Sequence, residues 1–169
     1  NTLANRLINV DFNKAEKSNI ISTQFKLDRC LIPCDGFYFW KNFSKKEKTP
    51  YYFQYTKEKL IYCVGIRETF QDFSGNSFKY FYFLTDQSTE KWKKFTPKIP
   101  IFFDIRYLDI WFSKTTSINK ISSFINPIKF DDFNFYTVSP YFENNNRDDI
   151  SLINPSNNLN QYGNYSLFD

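Results

Sequence analysis

The chain has 169 residues, with 22 Lys and Arg against 18 Asp and Glu, which makes a formal net charge of +4. That length suits one domain with its own core, so folding needs neither a disulfide framework nor a structural metal. The sequence has no histidine, which excludes the commonest acid or base at neutral pH and the commonest metal ligand. We therefore expect no metal and no cofactor, while the small positive charge permits an anionic partner without requiring one.

The three cysteines, Cys30, Cys34 and Cys63, fit no zinc-binding spacing, and their odd number argues against a disulfide framework. We interpret them as small core residues of a monomeric cytoplasmic protein. No apolar run approaches the roughly 18 residues that cross a bilayer, so no membrane partner is expected. The 21 Phe and 12 Tyr could stack on nucleic-acid bases, but A/T-rich codons explain much of that content equally well.

Strands dominate the elements that the sequence pattern predicts. Pro33 and Gly36 indicate a turn between an apolar strand and the aromatic strand 37–40, with Gly36 at a φ that other residues avoid. A short helical turn is predicted at 14–17. The later predicted segments are a lysine-rich hairpin loop at 41–48, a hairpin of strands 51–55 and 60–66, a polar connection at 67–77, a strand at 78–85, an ordered loop at 95–100 and a last strand at 133–138.

Helices are predicted to be few, short and late in the chain. Ser88 could cap a helical turn that runs to Lys94, and Asp104 could cap an amphipathic helix. The core face of that helix would carry Ile105, Leu108, Trp111 and Phe112, and a helix at 117–125 would turn Ile118, Ile121, Phe124 and Ile125 inward. The fold class that follows is α+β, with a largely antiparallel, curled or barrel-like sheet, one domain over 1–155 and a loose tail at 156–169.

One stretch carries a resemblance to a known family. Residues 29–40 read R-C-L-I-P-C-D-G-F-Y-F-W, which resembles the R-C-L-I-P-A-D-G-F-Y-E-W motif of the SRAP domain, the SOS-response-associated peptidase or abasic-site-processing family, and differs from it at Cys34 and Phe39. Weaker similarities follow in order: 1–5 to N-A-R-A-E, 49–52 to K-x-P-Y, 64–68 to A-G-L-W-E, 84–85 to I-T-T, 95–103 to I-H-D-R-M-P-V-I-L and 138–149 to V-S-x-x-V-N-N-x-x-N-D-D. The resemblance implies a SRAP-like fold without its N-terminal part.

The resemblance also implies a chemistry. In the family, the amine and thiol of an N-terminal Cys capture the ring-opened aldehyde of an abasic site in single-stranded DNA, through a Schiff base that closes to a thiazolidine. An Asn orients the nucleophile or sugar, a Glu and a His move protons, and the same Cys is credited with self-processing peptidase activity. By this resemblance Asn1 stands at the Asn position, Phe39 at the Glu position and Thr96 at the His position.

These substitutions predict impaired catalysis. A phenyl ring accepts no proton, a Thr hydroxyl does not titrate near neutrality, and the family's Cys would lie upstream of Asn1. If the resemblance holds, Phe39 should face a groove beside Asn1 and Thr96.

A basic groove for DNA phosphates is predicted around the position of the lost His. Lys94, Lys98 and Arg106 would contact phosphates, with Trp92 as a stacking surface. A solvated helix face with one core Trp explains the same residues. The alternatives for function are therefore an abasic-site-capturing enzyme, a non-catalytic single-stranded DNA-binding module associated with the nucleoid, or an inactive remnant.

Overall fold

Two β-sheets and a thin helical layer make up the fold. The structure is a computed structural model that describes residues 9–12, 28–44, 48–57, 60–126, 129–144 and 146–157. Its strands are β1 (Asn9–Asp11), β2 (Arg29–Cys34), β3 (Gly36–Asn42), β4 (Lys48–Tyr55), β5 (Ile61–Gln71), β6 (Ser77–Gln87), β7 (Lys98–Pro100), β8 (Phe102–Phe103), β9 (Ile125–Asn126) and β10 (Phe133–Thr137).

The two sheets differ in size and are mainly antiparallel. In the described residues the larger has seven strands in the order β1-β6-β5-β8-β9, with β2 beside β5 and β7 beside β6. Its β1–β6 pair is parallel and its other pairs are antiparallel. The smaller sheet, β10-β4-β3, is antiparallel. The predicted α+β class with a largely antiparallel sheet is confirmed, and the sheets are open rather than closed into a barrel.

Strand β5 separates two hydrophobic cores, because successive side chains of a strand point to opposite faces. Val64 and Ile66 face the helical layer, and Ile61 and Cys63 face the smaller sheet. The first core also contains Leu84, Ile101, Phe103, Trp111 and Ile121. The second, which we call the aromatic core, also contains Phe53, Trp92, Ile99, Phe102 and Phe133.

The helical layer is short. It comprises α1 (Leu108–Phe112), α2 (Ile118–Ser122) and 3₁₀ turns at Trp92–Lys94, Ile105–Tyr107, Phe130–Asp132, Pro140–Glu143 and Ile150–Ile153. None of the helices described is both long and apolar enough to cross a bilayer. Asp104 caps the turn before α1 as predicted, accepting a hydrogen bond from the Arg106 amide at 3.0 Å.

The predicted core face of the first helix holds only in part. Trp111 is fully buried and Ile105 and Leu108 are half-buried, but Phe112 is 58 % exposed. The reason is that the helix begins as a 3₁₀ turn, whose three-residue period rotates later residues away from the face that a 3.6-residue period predicts.

Of the two predicted hairpins, the structure contains one. The lysine-rich loop joins antiparallel β3 and β4, as predicted. The predicted pairing of 51–55 with 60–66 is wrong, because β4 lies in the smaller sheet and β5 in the larger one. The alternation of apolar and polar residues identifies a strand but carries no information about its partner.

The predicted polar connection at 67–77 is also wrong. β5 and β6 continue through it as a two-stranded ribbon, and the turn is confined to the residues around Gly75, which has a φ of 82°. Phe70, Phe78 and Phe81 are each about half-exposed on this ribbon. A ribbon exposed on both faces lacks the clean alternation that predicts a strand.

Gly36 serves a different purpose from the one predicted, since its φ is not positive. A Cβ at this position would lie 2.3 Å from the carbonyl oxygen of Phe53 and 2.7 Å from the Tyr52 ring. Glycine is needed there because β3 approaches β4 too closely for a side chain.

Three further predictions concern shorter segments. The predicted helical turn exists as Trp92–Lys94, but the residue before it is Lys91, so Ser88 does not cap it. Ser88 is buried, and its hydroxyl has no hydrogen-bond partner among the described residues. Part of the loop predicted at 95–100 is strand β7. The helical turn predicted at 14–17 and residues 158–169 of the tail lie outside the described residues, and the domain boundaries stay a prediction.

Candidate nucleic-acid interface

The motif at 29–40 passes from one sheet to the other. Strand β2 belongs to the larger sheet and β3 to the smaller, and Asp35 alone lies between them. The Asp35 carbonyl accepts a hydrogen bond from the Tyr55 amide at 3.2 Å, which holds the crossing against β4. Phe37, Phe39 and Lys41 then share one face of β3, because they alternate along the strand.

Phe39 is half-buried at the edge of the aromatic core. Its ring centroid lies 5.2 Å from that of Phe37, 5.7 Å from Phe53 and 6.1 Å from Trp92. These are the distances of ordinary aromatic packing. The side chain at the predicted Glu position therefore contributes to packing, and it offers no site for a proton.

Thr96 lies beside the same tryptophan. Its amide donates to the Trp92 carbonyl at 3.0 Å, and its hydroxyl donates to the Lys98 carbonyl at 2.7 Å. Phe39 and Thr96 thus both contact Trp92, Phe39 through its ring and Thr96 through its backbone, but neither residue lines the two clefts described below, so the groove expected at Phe39 is not found at either of them. Asn1, the third predicted catalytic position, lies outside the described residues.

The predicted DNA-contacting residues are not equivalent. Trp92 is 0 % exposed, so it is a core residue and its ring is not accessible for stacking; this corrects the stacking prediction. Lys98 forms an ion pair with Asp11 at 3.0 Å, which ties β7 to β1. Arg106 is exposed and paired with Asp104. Lys94 is exposed and lies at a pocket.

That pocket has a volume of about 330 Å³ and joins residues from distant parts of the chain. We call it the basic pocket; it is lined by Lys41, Lys91, Lys94, Phe95, Phe130, Asp131 and Phe135. Its Lys41 was missed by the sequence reasoning, which assigned it to a solvated loop. The signal that could have found it is its alternation with Phe37 and Phe39 on one strand face.

Cations and aromatic rings are in contact in the basic pocket. The Lys41 ammonium lies 5.5 Å from the Phe95 ring centroid and 5.9 Å from that of Tyr51. Lys41 lies two residues after Phe39 on the same face of β3, so one lining residue of the pocket is a strand neighbour of the predicted Glu position. Lys91 pairs with Asp131 at 2.6 Å. With three Lys and one Asp in its lining, the pocket has a net charge of +2 and attracts anions.

A second cleft, of about 1000 Å³, is larger but electrically balanced. Its basic lining residues are Lys91, Arg106 and Lys129, and its acidic ones are Asp104, Asp131 and Asp132. Equal numbers of each sign make it a weaker anion site than the basic pocket.

The phenols next to Phe39 do not supply an acid/base group at neutral pH. Burial, and then the charge of Asp35, raise the pKa of both Tyr38 and Tyr52 above the ordinary value of 10.0. Both hydroxyls therefore stay protonated at neutral pH. Within the described part of the chain, no group of three or more Cys, Asp or Glu could hold a metal ion.

Comparison with known proteins identifies the family. A family model described as SOS response associated peptidase (SRAP) matches residues 1–145. The chain belongs to the SRAP family. The resemblance of its 29–40 motif is thereby confirmed.

Two curated relatives show how much of a SRAP protein this chain represents. It is 25 % identical over 132 residues to abasic site processing protein YoaM of Bacillus subtilis (strain 168), which covers 78 % of this chain and 58 % of that protein. It is 27 % identical over 132 residues to abasic site processing protein YoqW of Bacillus phage SPbeta, covering 77 % and 54 %. The chain thus spans little more than half the length of these relatives.

Solved structures support the fold. A protein from Bacteroides thetaiotaomicron superposes with a TM-score of 0.80 at 16 % identity, covering 92 % of this chain and 68 % of that one. A protein from Bordetella bronchiseptica superposes with a TM-score of 0.64 at 14 % identity, covering 77 % and 64 %. At such identities the likeness concerns the fold alone.

Proposed function

We propose that this SRAP chain recognises abasic sites in single-stranded DNA, as a cytoplasmic monomer that associates with the nucleoid. The observation that carries the proposal is the basic pocket, which joins three lysines to exposed aromatic surface and whose Lys41 lies two residues from Phe39 on β3. The names of the relatives, abasic site processing proteins, support the choice of substrate.

The lining of the basic pocket suits a DNA strand that lacks a base. Lys41 and Lys94 would contact successive phosphates, and such contacts make binding salt-dependent. Phe135, which is 42 % exposed, would lie against a flanking base or against the bare sugar. The Phe135 ring also packs against those of Phe95 and Phe130, at centroid distances of 5.6 and 5.3 Å, so the three rings form one continuous aromatic surface of the pocket.

Covalent capture of an abasic site requires a free α-amine and a thiol on the same residue. Amine attack on the sugar aldehyde releases water and gives a Schiff base, and thiol addition to that double bond closes the thiazolidine. Both groups must belong to one N-terminal Cys, whereas Cys30, Cys34 and Cys63 are internal. An upstream Cys would have to supply the capture step and also the self-processing peptidase activity.

The packing of Phe39 favours a second candidate, a binding module without catalysis. A general acid or base typically contributes about 100- to 10,000-fold to a rate, and neither Phe39 nor Thr96 can act as one. Binding through the basic pocket would survive these substitutions, because its lysines are independent of them.

Fluorescence anisotropy with labelled single-stranded oligonucleotides tests the binding proposal. We expect tighter binding to a strand with one stable abasic analogue than to an undamaged strand or a duplex. The double variant Lys41→Gln/Lys94→Gln should bind roughly tenfold more weakly and lower the slope of log K against log salt by roughly 1.4. The control Lys114→Gln/Lys120→Gln removes two exposed lysines, one between α1 and α2 and one on α2, and should bind like the parent. Equal loss in both double variants would reject the basic pocket as the site.

A denaturing gel separates capture from binding. The full-length product is incubated with an oligonucleotide that carries one natural abasic site, and a denaturation-resistant adduct is sought. We expect little adduct from the parent and more from Phe39→Glu/Thr96→His. Efficient adduct formation by the parent would remove the binding-module alternative.

A further inference from the structure

We propose that Cys34 and Cys63 form a redox-active dithiol that a small-molecule disulfide such as glutathione disulfide converts reversibly into a disulfide bond between β2 and β5. The two Sγ atoms lie 3.3 Å apart, in direct contact, and both thiols are reduced in the structure. The proposal concerns a modification site and does not depend on DNA binding.

The strand register explains why these two sulfur atoms meet. Ile32 on β2 is opposite Cys63 on β5, so Cys34 lies two residues along on the same face. Cys30 lies two residues away in the other direction, opposite Gly65. Because the strands twist, the diagonal distances from Cys63 to Cys34 and from Cys63 to Cys30 differ, and the Sγ contact is with Cys34.

Access differs between the two thiols. Cys63 is 2 % exposed within the aromatic core, whereas Cys34 is partly exposed between Pro33 and Asp35, which are both exposed. An oxidant from solvent therefore reaches Cys34 first. The hydrogen bond from the Cys63 thiol holds the pKa of Cys34 below its ordinary value, and the same bond together with burial raises the pKa of Cys63. Both directions support Cys34 as the attacking thiolate.

The reaction balances in two exchanges. The Cys34 thiolate attacks one sulfur of glutathione disulfide, breaking its S–S bond and releasing one glutathione thiolate. The Cys63 sulfur, after losing its proton, attacks Cys34 in the mixed disulfide and releases the second glutathione. The two protein thiols are oxidised, the oxidant is reduced to two thiols, and an excess of dithiol reductant reverses both steps.

A metal site is a weaker explanation for the pair. Structural zinc takes four ligands, and no third Cys, Asp or Glu joins these two in the described residues. Oxidation would instead link the last residue of β2 covalently to β5, directly before Asp35, where the chain passes to the smaller sheet. The disulfide would close a loop between residues 34 and 63.

Mass spectrometry of the whole chain after treatment with excess glutathione disulfide tests the proposal. The free-thiol count should fall from three to one, with no glutathione retained. Chymotrypsin cleaves after Leu31 and so separates Cys30 from Cys34. The expected cross-linked peptide joins the Cys34 fragment to the Cys63 fragment. A persistent glutathione adduct on Cys34, a link to Cys30, or three unreacted thiols would each overturn the proposal.

Matched variants give a second readout. Oxidised parent and oxidised Cys30→Ser should both gain about 5 to 10 °C in Tm, and reductant should abolish the gain. Cys34→Ser and Cys63→Ser should show no oxidant-dependent change. If a variant fails to fold, the cross-linked peptide identified in the parent is sufficient to test the proposal. A gain retained in Cys34→Ser would contradict the assignment.

Discussion

Phe39 packs against the aromatic core at a position where the SRAP motif has a Glu. In the SRAP motif the position carries a carboxylate, and here its ring packs against Phe37, Phe53 and Trp92. Returning a carboxylate would remove that packing and bring a charge to the edge of the aromatic core. A carboxylate at position 39 would therefore lower the free energy of unfolding.

We expect Phe39→Glu to lower the free energy of unfolding by about 2 kcal/mol or more, because aromatic contacts are lost and a charge is partly buried. Urea denaturation followed by fluorescence measures it. The control is Phe43→Glu, at a position that is 51 % exposed, where a change within about 0.5 kcal/mol is expected. Equal losses at the two positions would show that Phe39 does not pack as described.

Gly36 is needed because a side chain would not fit there, and Gly75 because its φ is positive, so alanine variants at the two positions can be compared directly. Gly36→Ala would place a methyl group 2.3 Å from a backbone oxygen of β4 and should cost about 3 kcal/mol or prevent folding. Gly75→Ala meets no atom within 4 Å but has a φ of +82°, and should cost about 1 kcal/mol. Thermal unfolding of the two variants compares them. A larger loss at Gly75 would contradict the close approach of β3 to β4.

At the scale of elements, Arg29 links β2 to the helical layer. Its Nε donates to the Trp111 carbonyl at 2.9 Å, and a terminal nitrogen donates to the Ser113 carbonyl at 2.8 Å. Carbonyls at the end of a helix have no partner within the helix. The first residue of the family motif thus holds the C-terminal end of α1 against the larger sheet.

Arg29→Gln should destabilise the protein by about 1 to 3 kcal/mol, because two partly buried carbonyls lose a charged donor. Arg67→Gln is the control. Its ion pair with Asp28, at 3.0 Å, is exposed and should contribute about 0 to 1 kcal/mol. Urea denaturation distinguishes the two, and a cost at Arg29 no greater than that at Arg67 would rule out this helix-end contact as a significant support.

The response of the whole molecule to pH is determined by its carboxylates, since the sequence has no histidine. A hydrogen bond from Asn76 lowers the pKa of Asp72, one from Lys93 lowers that of Glu90, and one from Arg106 lowers that of Asp104. Hydrogen bonds from Ser151 and then Arg147 lower the pKa of Asp149. The ordinary values are 3.8 for Asp and 4.5 for Glu.

A group with a lowered pKa in the folded state stabilises the fold fully above its unfolded pKa, and this contribution is lost as the pH falls through the folded pKa. We therefore expect a nearly constant Tm between about pH 5 and 7 and a decline below about pH 4. Asp104→Asn/Asp149→Asn should start from a lower Tm and decline less steeply. A transition between pH 6 and 7 would contradict this assignment.

Much of the outline was predictable from the sequence, because it depends on local pattern. Runs of alternating or aromatic residues predicted most strands, and Asp104 and Ser117 were identified as starts of helical segments. The 29–40 motif predicted the family, and the identities of Phe39 and Thr96 predict that no proton transfer occurs at those two side chains. These conclusions depend on neighbours in sequence or on the chemistry of one side chain.

Tertiary structure alone decided which distant residues meet. β4 pairs with β3 and β10 rather than β5, Trp92 is buried, and Lys41 joins Lys91 and Lys94 around one pocket. The physical reason is that a strand's alternation fits any partner of matching hydrophobic face, so packing of the whole chain selects the pairing. The contact between Cys34 and Cys63 follows from the same register, which places residues 29 positions apart on one face of the larger sheet.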